Sequence, residues 1–293
     1  MFDGSSGLFY CKNCWDSFSA VNQNAEIGYH VPPPPDATFT RQVITRCVSL
    51  LVDAISLKWA TNDVLDLCCG GSVVRKWMKN GTMRYLGVDC NPEAVKKIEN
   101  LIKNPATKEL SGDMRYNVIC EDAFSPDLMQ KITEIHPRQF HVISCFSAFH
   151  RAFASEEIVR TFIGSVANAL VPGGLFVGFF VDANVAFSNG TEFSNTVFST
   201  QWDKDAKPRF GNTFKLSIEG GPFHSINVVS VDYLIDVAVN FNLSIVPEAC
   251  QTLLDFIEKD KNFTKVLNDD EREYLCVLRS FVFRKNSEEK VAK

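Results

Sequence analysis

The chain has 293 residues, of which 45% are hydrophobic and 22% are charged, so it is long enough to build a sizeable buried core. Its formal net charge of −5 argues against a protein that coats nucleic acid without regard to sequence. No apolar run reaches the ~20 residues that a membrane-spanning helix needs, and the first residues lack the basic and apolar regions of a signal peptide. The ten cysteines lie in apolar stretches without the spacing of a disulfide framework, so we expect reduced thiols, as in the cytosol or nucleus.

Residues 1–36 are predicted to form an arm outside the main domain. They contain one Cys-x-x-Cys pair, Cys11 and Cys14, and then four consecutive prolines that favour an extended connector. A structural zinc ion takes four ligands, and no second pair of ligands lies nearby. We therefore expect two ordinary thiols here and no metal site.

From residue 38 onward, the hydrophobic pattern predicts alternating helices and strands. The apolar residues between Thr38 and Trp59 recur at helical spacing. A strand beginning at Val64 then runs into a glycine turn at residues 70 and 71, and the helical stretch VVRKWMKN follows. The pattern continues with a strand ending at Asp89, a helix beginning at Pro92, a strand ending at Asp122, a strand from Phe140 into a loop, a helix capped by Ser155, and a fifth strand after the VPGG turn. Parallel βαβ units of this kind indicate a doubly wound α/β fold.

The pattern loosens after residue 184. A polar stretch runs to Pro208, and it is followed by the strand FGNTFKLSI, the amphipathic helix VDYLIDVAVNFNL and the last strand LCVLRSFVFRK. We divide the chain into the arm at 1–36, one domain at 37–286 with an insertion around 184–225, and a charged tail at 287–293.

Acidic residues stand at the predicted ends of three successive strands, at Asp66, Asp89 and Asp122. In a doubly wound sheet, ligands bind outside the carboxyl ends of the strands. Asp89 follows Gly70 by 19 residues, close to the spacing at which a carboxylate accepts from the hydroxyls of a bound ribose, and Asp122 is placed to accept from an adenine amino group. The turn CCGGS has too few glycines to cradle a pyrophosphate, and S-adenosylmethionine contains none. The sequence therefore predicts S-adenosylmethionine rather than a nicotinamide dinucleotide as the cofactor.

Several stretches of the chain resemble one known family. They are VLDLCCGGSVVRKW, YLGVDCNPEAV, FHVISCFSAFHRAFAS, LVPGGLFVGFF, RFGNTFKL, SVDYLIDVAVNFNLSIV and VLRSFVFRK. Together they run from about Thr38 to Lys285 and resemble the mRNA cap (guanine-N7) methyltransferases, and the short Cys-Gly-Gly turn is similar to that of a divergent second paralogue in plants. The resemblance implies the Rossmann-like sheet of the class I S-adenosylmethionine-dependent methyltransferases and methyl transfer to N7 of the guanine cap of mRNA.

The same resemblance implies partners and a location. The partners are the capped 5′ end of RNA and other capping or transcription proteins, and no membrane is involved. The location is the nucleus, with the cytoplasm as the alternative.

The resemblance also implies roles for individual residues. Arg46 stands where the family has a lysine that meets the cofactor carboxylate, and His150 and Phe153 stand where the family faces the guanine. With the strand-end residues, the predicted cofactor contacts are Arg46, Asp66, Cys68, Gly70, Gly71, Asp89, Asp122, Phe146 and Arg151. The predicted substrate contacts are His150, Phe153, Arg75, Lys76, Arg209 and Asn212. None of them is expected to act as an acid or a base, because guanine N7 already carries a lone pair and the sulfonium methyl is already activated. His150 and Phe153 are expected to align the guanine.

Some of these residues have a second interpretation. The basic cluster of Arg75, Lys76, Lys79 and Arg84 either meets the cap triphosphate or forms a solvated helix face. His150 either hydrogen-bonds the guanine or makes a structural hydrogen bond.

The chain also departs from the family pattern. The family's glycine turn is longer and contains a lysine that is missing here, its acidic cap contact corresponds to Ile226 or a neighbour, and its tyrosine in the last strand corresponds to Leu278. These departures keep two other functions open. One is a methyltransferase of the same fold that acts on another RNA or a small molecule, and the other is a non-catalytic subunit of an RNA-capping assembly.

Overall fold

The structure is a computed structural model that describes residues 2–3, 8–9, 39–70, 73–104, 114–146, 148–203 and 210–287. The predictions for Cys11, Cys14, Gly71 and Arg209, and for the proline-rich connector, lie outside these residues. Among the helices that are described, none is both long and apolar enough to cross a membrane.

The described residues form strands and helices in the predicted alternation. The strands are β1 (Asp63–Leu67), β2 (Arg84–Asp89), β3 (Arg115–Cys120), β4 (Phe140–Cys145), β5 (Leu170–Val181), β6 (Glu192–Ser194), β7 (Phe198–Gln201), β8 (Thr213–Ile218), β9 (His224–Asn227), β10 (Leu243–Ile245) and β11 (Leu278–Lys285). The α-helices are α1 (Phe39–Lys58), α2 (Val74–Lys79), α3 (Pro92–Lys103), α4 (Leu128–Ile135), α5 (Glu156–Ala169), α6 (Ala183–Ser188), α7 (Val231–Asn240), α8 (Leu253–Lys259) and α9 (Asp269–Val277). Two 3₁₀ helices, Phe149–Ala154 and Pro247–Ala249, and a short pairing of Phe2–Asp3 with Leu8–Phe9 complete the description.

The main sheet has seven strands in the order β10-β11-β5-β4-β1-β2-β3. All pairings among strands β1 to β5 are parallel. Strand β11 pairs antiparallel with both β5 and β10. The chain moves outward from β1 to β3 on one side and from β4 to β5 on the other. The strand order therefore reverses between β1 and β4, and ligands bind at such a switch point in doubly wound sheets. The predicted doubly wound Rossmann-like fold is confirmed.

A smaller antiparallel sheet, in the order β9-β8-β7-β6, is formed within residues 192–227. It lies between β5 and α7 in the sequence, in the stretch predicted to be an insertion. Its edge strand β9 packs against the 3₁₀ helix Phe149–Ala154, which follows β4. The small sheet thus lies beside the loop that leaves the switch point.

Two clusters of buried side chains fill the space on either side of the main sheet. One contains Val64 of β1 with Trp77 of α2, and the other contains Leu65 of β1 with Ile163 of α5. Consecutive residues of a strand point to opposite faces, so β1 contributes to both clusters. Five phenylalanines of the last two long strands are buried in these clusters and are not exposed as base-stacking platforms: Phe176, Phe179, Phe180, Phe281 and Phe283.

Side-chain caps begin the two helices whose starts were predicted from sequence. Asn91 accepts a hydrogen bond from the N–H of Glu93 at 3.0 Å, with Pro92 at the first helical position of α3. Ser155 accepts from the N–H of Ile158 at 3.2 Å and begins α5. Both starts were predicted correctly because the capping signal is local in sequence.

Several predicted strand boundaries are wrong. Strand β5 begins at Leu170, before the VPGG residues rather than after them, and β8 begins at Thr213 rather than at Phe210. Strand β3 ends at Cys120 rather than Asp122, because Asp122 turns the chain back by accepting the N–H of Phe124 at 3.1 Å. The last strand begins at Leu278, and the preceding residues belong to α9, which a capping box of Asn268 and Glu271 starts.

Candidate functional site

The glycine turn after β1 and the end of β2 are joined by hydrogen bonds. The N–H of Gly70 donates to Oδ2 of Asp89 at 2.9 Å, and the N–H of Asn91 donates to Oδ1 at 3.0 Å. Gly70 has φ +54°, and an added Cβ would approach only the carbonyl oxygen of Cys68, at 3.9 Å, so the backbone at this position is not crowded. Each carboxylate oxygen keeps a lone pair for a further donor. Asp89 is therefore a fixed, partly exposed acceptor beside the turn.

Asp122 lies on the neighbouring strand end. Strands β2 and β3 pair Asp89 with Cys120, and the N–H of Glu121 donates to the carbonyl oxygen of Asp89 at 3.1 Å. Asp122 follows directly and is half-buried. The structure thus brings Gly70, Asp89 and Asp122 to one edge of the sheet, as the sequence predicted.

Asp66 lies beneath the turn rather than on its surface. It is 1% exposed, and its carboxylate accepts from Oγ of Ser144 at 2.7 Å and from Oη of Tyr85 at 2.9 Å. Burial raises the pKa of Asp66 to about 7, against the effect of these two hydrogen bonds. The prediction of a direct cofactor contact needs correction at this residue, because its side chain does not reach the cleft. Asp66 joins β1 to β2 and β4 under the turn.

Cys68 occupies an unusual backbone position in the turn. Its φ is 56°, in the left-handed region that glycine prefers. A hydrogen bond with Cys145, the last residue of β4, and burial raise the pKa of the Cys68 thiol well above its usual value. A thiol in this state is a poor nucleophile at neutral pH. Cys68 therefore links the turn to β4 across the switch point.

The segment after β4 divides into buried and half-buried side chains. Phe146 is 6% exposed and packs on Phe179 with ring centroids 5.3 Å apart. Phe153 is 1% exposed and packs against Phe210, with 6.1 Å between centroids. A ring this buried presents no face to a guanine, so the predicted wall position for Phe153 needs correction. His150 is half-buried and stays a candidate for substrate contact.

Arg151 makes a contact that the sequence did not predict. Its guanidinium carbon lies 5.6 Å from the centroid of the Phe124 ring. Phe124 lies two residues after Asp122. This closeness to a predicted cofactor contact is the one sequence signal that could have identified Phe124 as part of the site.

The predicted basic cluster does not form one surface. Arg75 and Lys79 are exposed on α2, whereas Lys76 is 9% exposed. Burial lowers the pKa of Lys76, and the nearby carboxylate of Asp66 acts in the opposite direction. Arg84 is an ion-pair partner of Asp63 at the amino end of β2, on the edge of the sheet opposite the turn. Only the exposed members on α2 remain candidates for phosphate contact.

Arg46 and Asn212 lie away from the glycine turn in sequence and are held by other contacts. Arg46 of α1 pairs with Asp260, which follows α8, at 2.5 Å. The hydrogen bond from Arg46 lowers the pKa of Asp260. The carbonyl oxygen of Asn212 accepts from the N–H of Val228 at 2.9 Å and thereby joins the two strands β8 and β9 near their ends. Contacts of these two residues with cofactor and substrate stay predictions.

Comparisons with known proteins give matches over most of the chain. A sequence model of the mRNA (guanine-N(7))-methyltransferase domain matches residues 44–286. The mRNA cap guanine-N(7) methyltransferase 1 of Oryza sativa subsp. japonica is 25% identical over 257 residues, which cover 77% of this chain and 69% of that protein. The protein of the same name from Arabidopsis thaliana is 25% identical over 260 residues, with the same two coverages.

Solved structures of low identity share the fold. An S-adenosylmethionine-dependent methyltransferase from Clostridium acetobutylicum ATCC 824 superimposes with a TM-score of 0.55 at 14% identity, covering 94% of this chain and 100% of that one. The CcbJ methyltransferase of Streptomyces caelestis gives 0.55 at 16% identity, covering 87% and 92%. At these identities the likeness concerns the architecture of the sheet and its helices.

Proposed function

Because its residues 44–286 match the domain model, the chain belongs to the mRNA (guanine-N(7))-methyltransferase family, and we propose that it transfers a methyl group from S-adenosylmethionine to N7 of the guanine cap of RNA. The observation that carries the proposal is the arrangement at the carboxyl edge of the sheet. There the Gly70 turn follows β1, next to the point where the strand order reverses, and Asp89 and Asp122 follow at the ends of the neighbouring strands β2 and β3.

The residues at this edge fit S-adenosylmethionine. Asp89 offers carboxylate lone pairs to the two ribose hydroxyls, and Asp122 offers an acceptor to the adenine amino group. The uncrowded backbone at Gly70, where an added Cβ would approach only the carbonyl oxygen of Cys68, would receive the methionine part. Asp66, Tyr85 and Ser144 would act from below, by keeping β1, β2 and β4 in register under the turn.

Methyl transfer to N7 requires the protein to align the two reacting atoms and does not require it to transfer a proton. Guanine N7 carries a lone pair, and the bound sulfonium supplies an activated methyl group. The protein's part is to hold the two reacting atoms in line at roughly 3 Å, an effect that can be worth ~7–11 kcal/mol. We assign His150 a hydrogen bond to the guanine, which gains positive charge during the transfer. Phe153 would act behind the guanine, by supporting the half-buried ring of Phe210.

Radiolabelled methyl transfer onto capped RNA, compared with uncapped RNA of the same sequence, tests this function. The wild type should label only the capped RNA. His150→Ala should lower the rate about tenfold to hundredfold, the effect of losing one hydrogen bond to a group that gains charge. His136→Gln, on the opposite edge of the sheet, is the control and should keep its rate. An unchanged rate in His150→Ala would refute the role of this residue, and equal labelling of both RNAs would refute cap specificity.

A second candidate follows from the side chains where the resemblance places polar cap contacts. Ile226 and Leu278 are apolar and each 8% exposed, so neither offers a polar group to a guanine. This observation favours a methyltransferase with another RNA or a small molecule as substrate, or a non-catalytic subunit of a capping assembly. Calorimetry with S-adenosylhomocysteine distinguishes the non-catalytic subunit from a methyltransferase, because a pure scaffold should not bind this compound.

The proposal extends to partners and location. The partner is the capped 5′ end of RNA, with other capping or transcription proteins as further partners, and the location is the nucleus. A fluorescent fusion found only in the cytoplasm would contradict the nuclear part.

A further inference from the structure

A chain of aromatic rings runs from the core to the surface through the 3₁₀ helix Phe149–Ala154. Between ring centroids, Phe153 lies 5.4 Å from Phe149 and 6.1 Å from Phe210. Phe210 in turn lies 4.5 Å from Tyr233, with the two rings tilted by 35°. The first two rings are at most 1% exposed, whereas Phe210 and Tyr233 are half-buried. The chain of rings therefore ends at the surface in the pair of Phe210 and Tyr233.

The connectivity of the sheet places this pair at the carboxyl edge. Strand β10 runs in the same direction as β5, because each of them pairs antiparallel with β11. Helix α7 leads into β10 and returns the chain to the amino edge, so α7 begins beside the carboxyl edge. Tyr233 lies in the first turn of α7. The aromatic pair is therefore on the same edge as Gly70 and Asp89.

Along that edge, the pair lies on the far side of the His150 loop from the proposed cofactor residues. The strand order is β10-β11-β5-β4-β1-β2-β3, and Asp89 ends β2. His150 follows β4, and Tyr233 belongs to α7, which packs against α5 and β10. From β2 toward β10, the order is thus the cofactor carboxylates, the loop with His150, and the aromatic pair.

A capped RNA is extended in a comparable order. The guanine that accepts the methyl group is followed by its ribose, by three phosphates and then by the first transcribed nucleotide with its own base. With the guanine beside His150, this next base lies beyond the loop, on the side of α7. An aromatic ring at the surface offers a base a flat apolar face, and such stacking is tolerant of sequence because every base has a π-face.

We propose that Tyr233, backed by Phe210, is a stacking platform for the base of the first transcribed nucleotide. The inference rests on the proposed function and adds a second subsite to it, next to the one for the guanine. Phe210 holds the Tyr233 ring from behind and is itself supported by the buried ring of Phe153. The platform accepts any of the four bases and lengthens the part of the RNA that the protein contacts.

Calorimetry with two ligands tests the platform. Guanosine triphosphate carries the guanine and the phosphates, and the cap dinucleotide GpppA adds a second base. The wild type should bind GpppA about tenfold more tightly than guanosine triphosphate, which is the effect of stacking one base. GpppG should bind as tightly as GpppA, because the platform does not read the identity of the base.

Substitutions of Tyr233 separate the second base from the guanine. Tyr233→Leu should lower the affinity for GpppA to that for guanosine triphosphate and leave the latter unchanged, and Tyr233→Phe, which keeps a ring, should bind both ligands as the wild type does. Tyr116→Leu is the matched control, because Tyr116 is 37% exposed near the amino end of β3 and should change neither constant. In methyl transfer, Tyr233→Leu should raise KM for capped RNA and keep kcat, since it removes binding that is equal in the ground state and the transition state.

A fluorescent ligand gives a readout that needs no variant. In a cap dinucleotide with 2-aminopurine as its second base, stacking on an aromatic ring quenches the fluorescence, so the wild type should quench it on binding. Thermal unfolding shows whether Tyr233→Leu is folded, and if it is not, the quenching by the wild type and by Tyr233→Phe decides.

The outcomes distinguish the platform from the proposed function. Bound 2-aminopurine ligand without quenching, an equal loss of both ligands in Tyr233→Leu, or no loss of either would overturn the platform. A wild type that binds neither ligand and labels no capped RNA would overturn the proposed function and the platform together. Labelling of capped RNA by a wild type that binds GpppA and guanosine triphosphate equally would overturn the platform alone.

Discussion

At the scale of single residues, Asp66 shows how burial raises the pKa of a carboxyl group. It lies between β2 and β4 with both of its hydrogen-bond donors, Tyr85 and Ser144, on the neighbouring strands. A carboxylate removed from water is costly unless it is well compensated, and two hydroxyl donors compensate only in part. The fold therefore holds a carboxyl group that titrates near neutral pH directly under the glycine turn.

The first prediction concerns the pH dependence of this group. Burial raises the folded-state pKa of Asp66 to about 7, above the ordinary value of about 4 that it has in the unfolded chain. Its contribution to stability is therefore complete below about pH 4 and is lost as the pH rises toward 7. We expect Asp66→Asn to gain stability relative to the wild type between about pH 5 and about pH 8, by on the order of 2 kcal/mol.

Urea unfolding at several pH values measures this difference. Asp127→Asn, at an exposed position, is the control for the change from carboxylate to amide. A difference between Asp66→Asn and wild type that does not vary with pH would show that Asp66 stays ionised in the fold.

At the scale of secondary structure, the strands and helices that frame the site depend on a few close approaches. Gly178 of β5 lies opposite Cys145 of β4 and Phe281 of β11. An added Cβ would lie 2.1 Å from the carbonyl oxygen of Cys145 and 2.6 Å from the Phe281 ring. Three strands can pack at this point only because the side chain is absent.

The second prediction follows from that packing. Gly178→Ala should destabilise the protein by more than about 3 kcal/mol, since a strand backbone cannot move without breaking its ladder. Gly164→Ala in α5 is the comparison, because its Cβ would meet only the edge of the Phe241 ring at 2.8 Å, and that ring can turn. We expect a change within about 1 kcal/mol there. Equal losses of unfolding free energy in denaturant would contradict the argument.

The third prediction concerns the start of α5, which directly follows the loop with His150 and Arg151. Ser155→Ala removes the hydroxyl that accepts the N–H of Ile158 and should cost about 1 kcal/mol of unfolding free energy. Thr133→Ala in α4, whose hydroxyl only donates to the carbonyl oxygen of Met129, should change stability by a few tenths of a kcal/mol. A loss in Thr133→Ala as large as that in Ser155→Ala would mean that the cap is not the cause.

At the scale of the whole molecule, the two edges of the main sheet serve different purposes. The carboxyl edge carries the turn, Asp89 and Asp122. The amino edge carries Asp63, which is 3% exposed at its side chain, with Arg84 beside it and His141 at 3.1 Å. Burial acts to raise the pKa of Asp63, but the hydrogen bond and the charge of Arg84 hold this pKa below its usual value. This cluster stabilises the sheet at a distance from the cleft.

The fourth prediction separates stability from binding on this basis. Arg84→Met leaves a buried carboxylate without its main partner and should cost about 2 kcal/mol of unfolding free energy. Calorimetry should show unchanged affinity for S-adenosylhomocysteine, because the substitution lies at the opposite edge from the turn. Arg115→Met, its exposed register partner on β3, should change neither quantity. Weaker binding of S-adenosylhomocysteine by Arg84→Met would contradict this separation and would indicate that Arg84 contributes to the proposed site.

The sequence by itself determined the order of elements and the residues at the strand ends. Hydrophobic periodicity, the glycine turn, the helix start at Pro92 and the cap at Ser155 are local signals, because each depends on residues a few positions apart. The predicted βαβ units also placed Gly70, Asp89 and Asp122 together, because parallel strands bring their carboxyl ends to one edge of the sheet.

Only the tertiary structure decided which side chains reach the cleft. The sequence predicts substrate contacts at Phe153 and Lys76, but both side chains are buried, and Arg84 belongs to the far edge of the sheet. The contact of Arg151 with Phe124 joins loops that are separated by the whole of β4 and α4. Burial and such contacts arise from packing between distant parts of the chain, and the one-dimensional pattern of a single sequence does not contain that information.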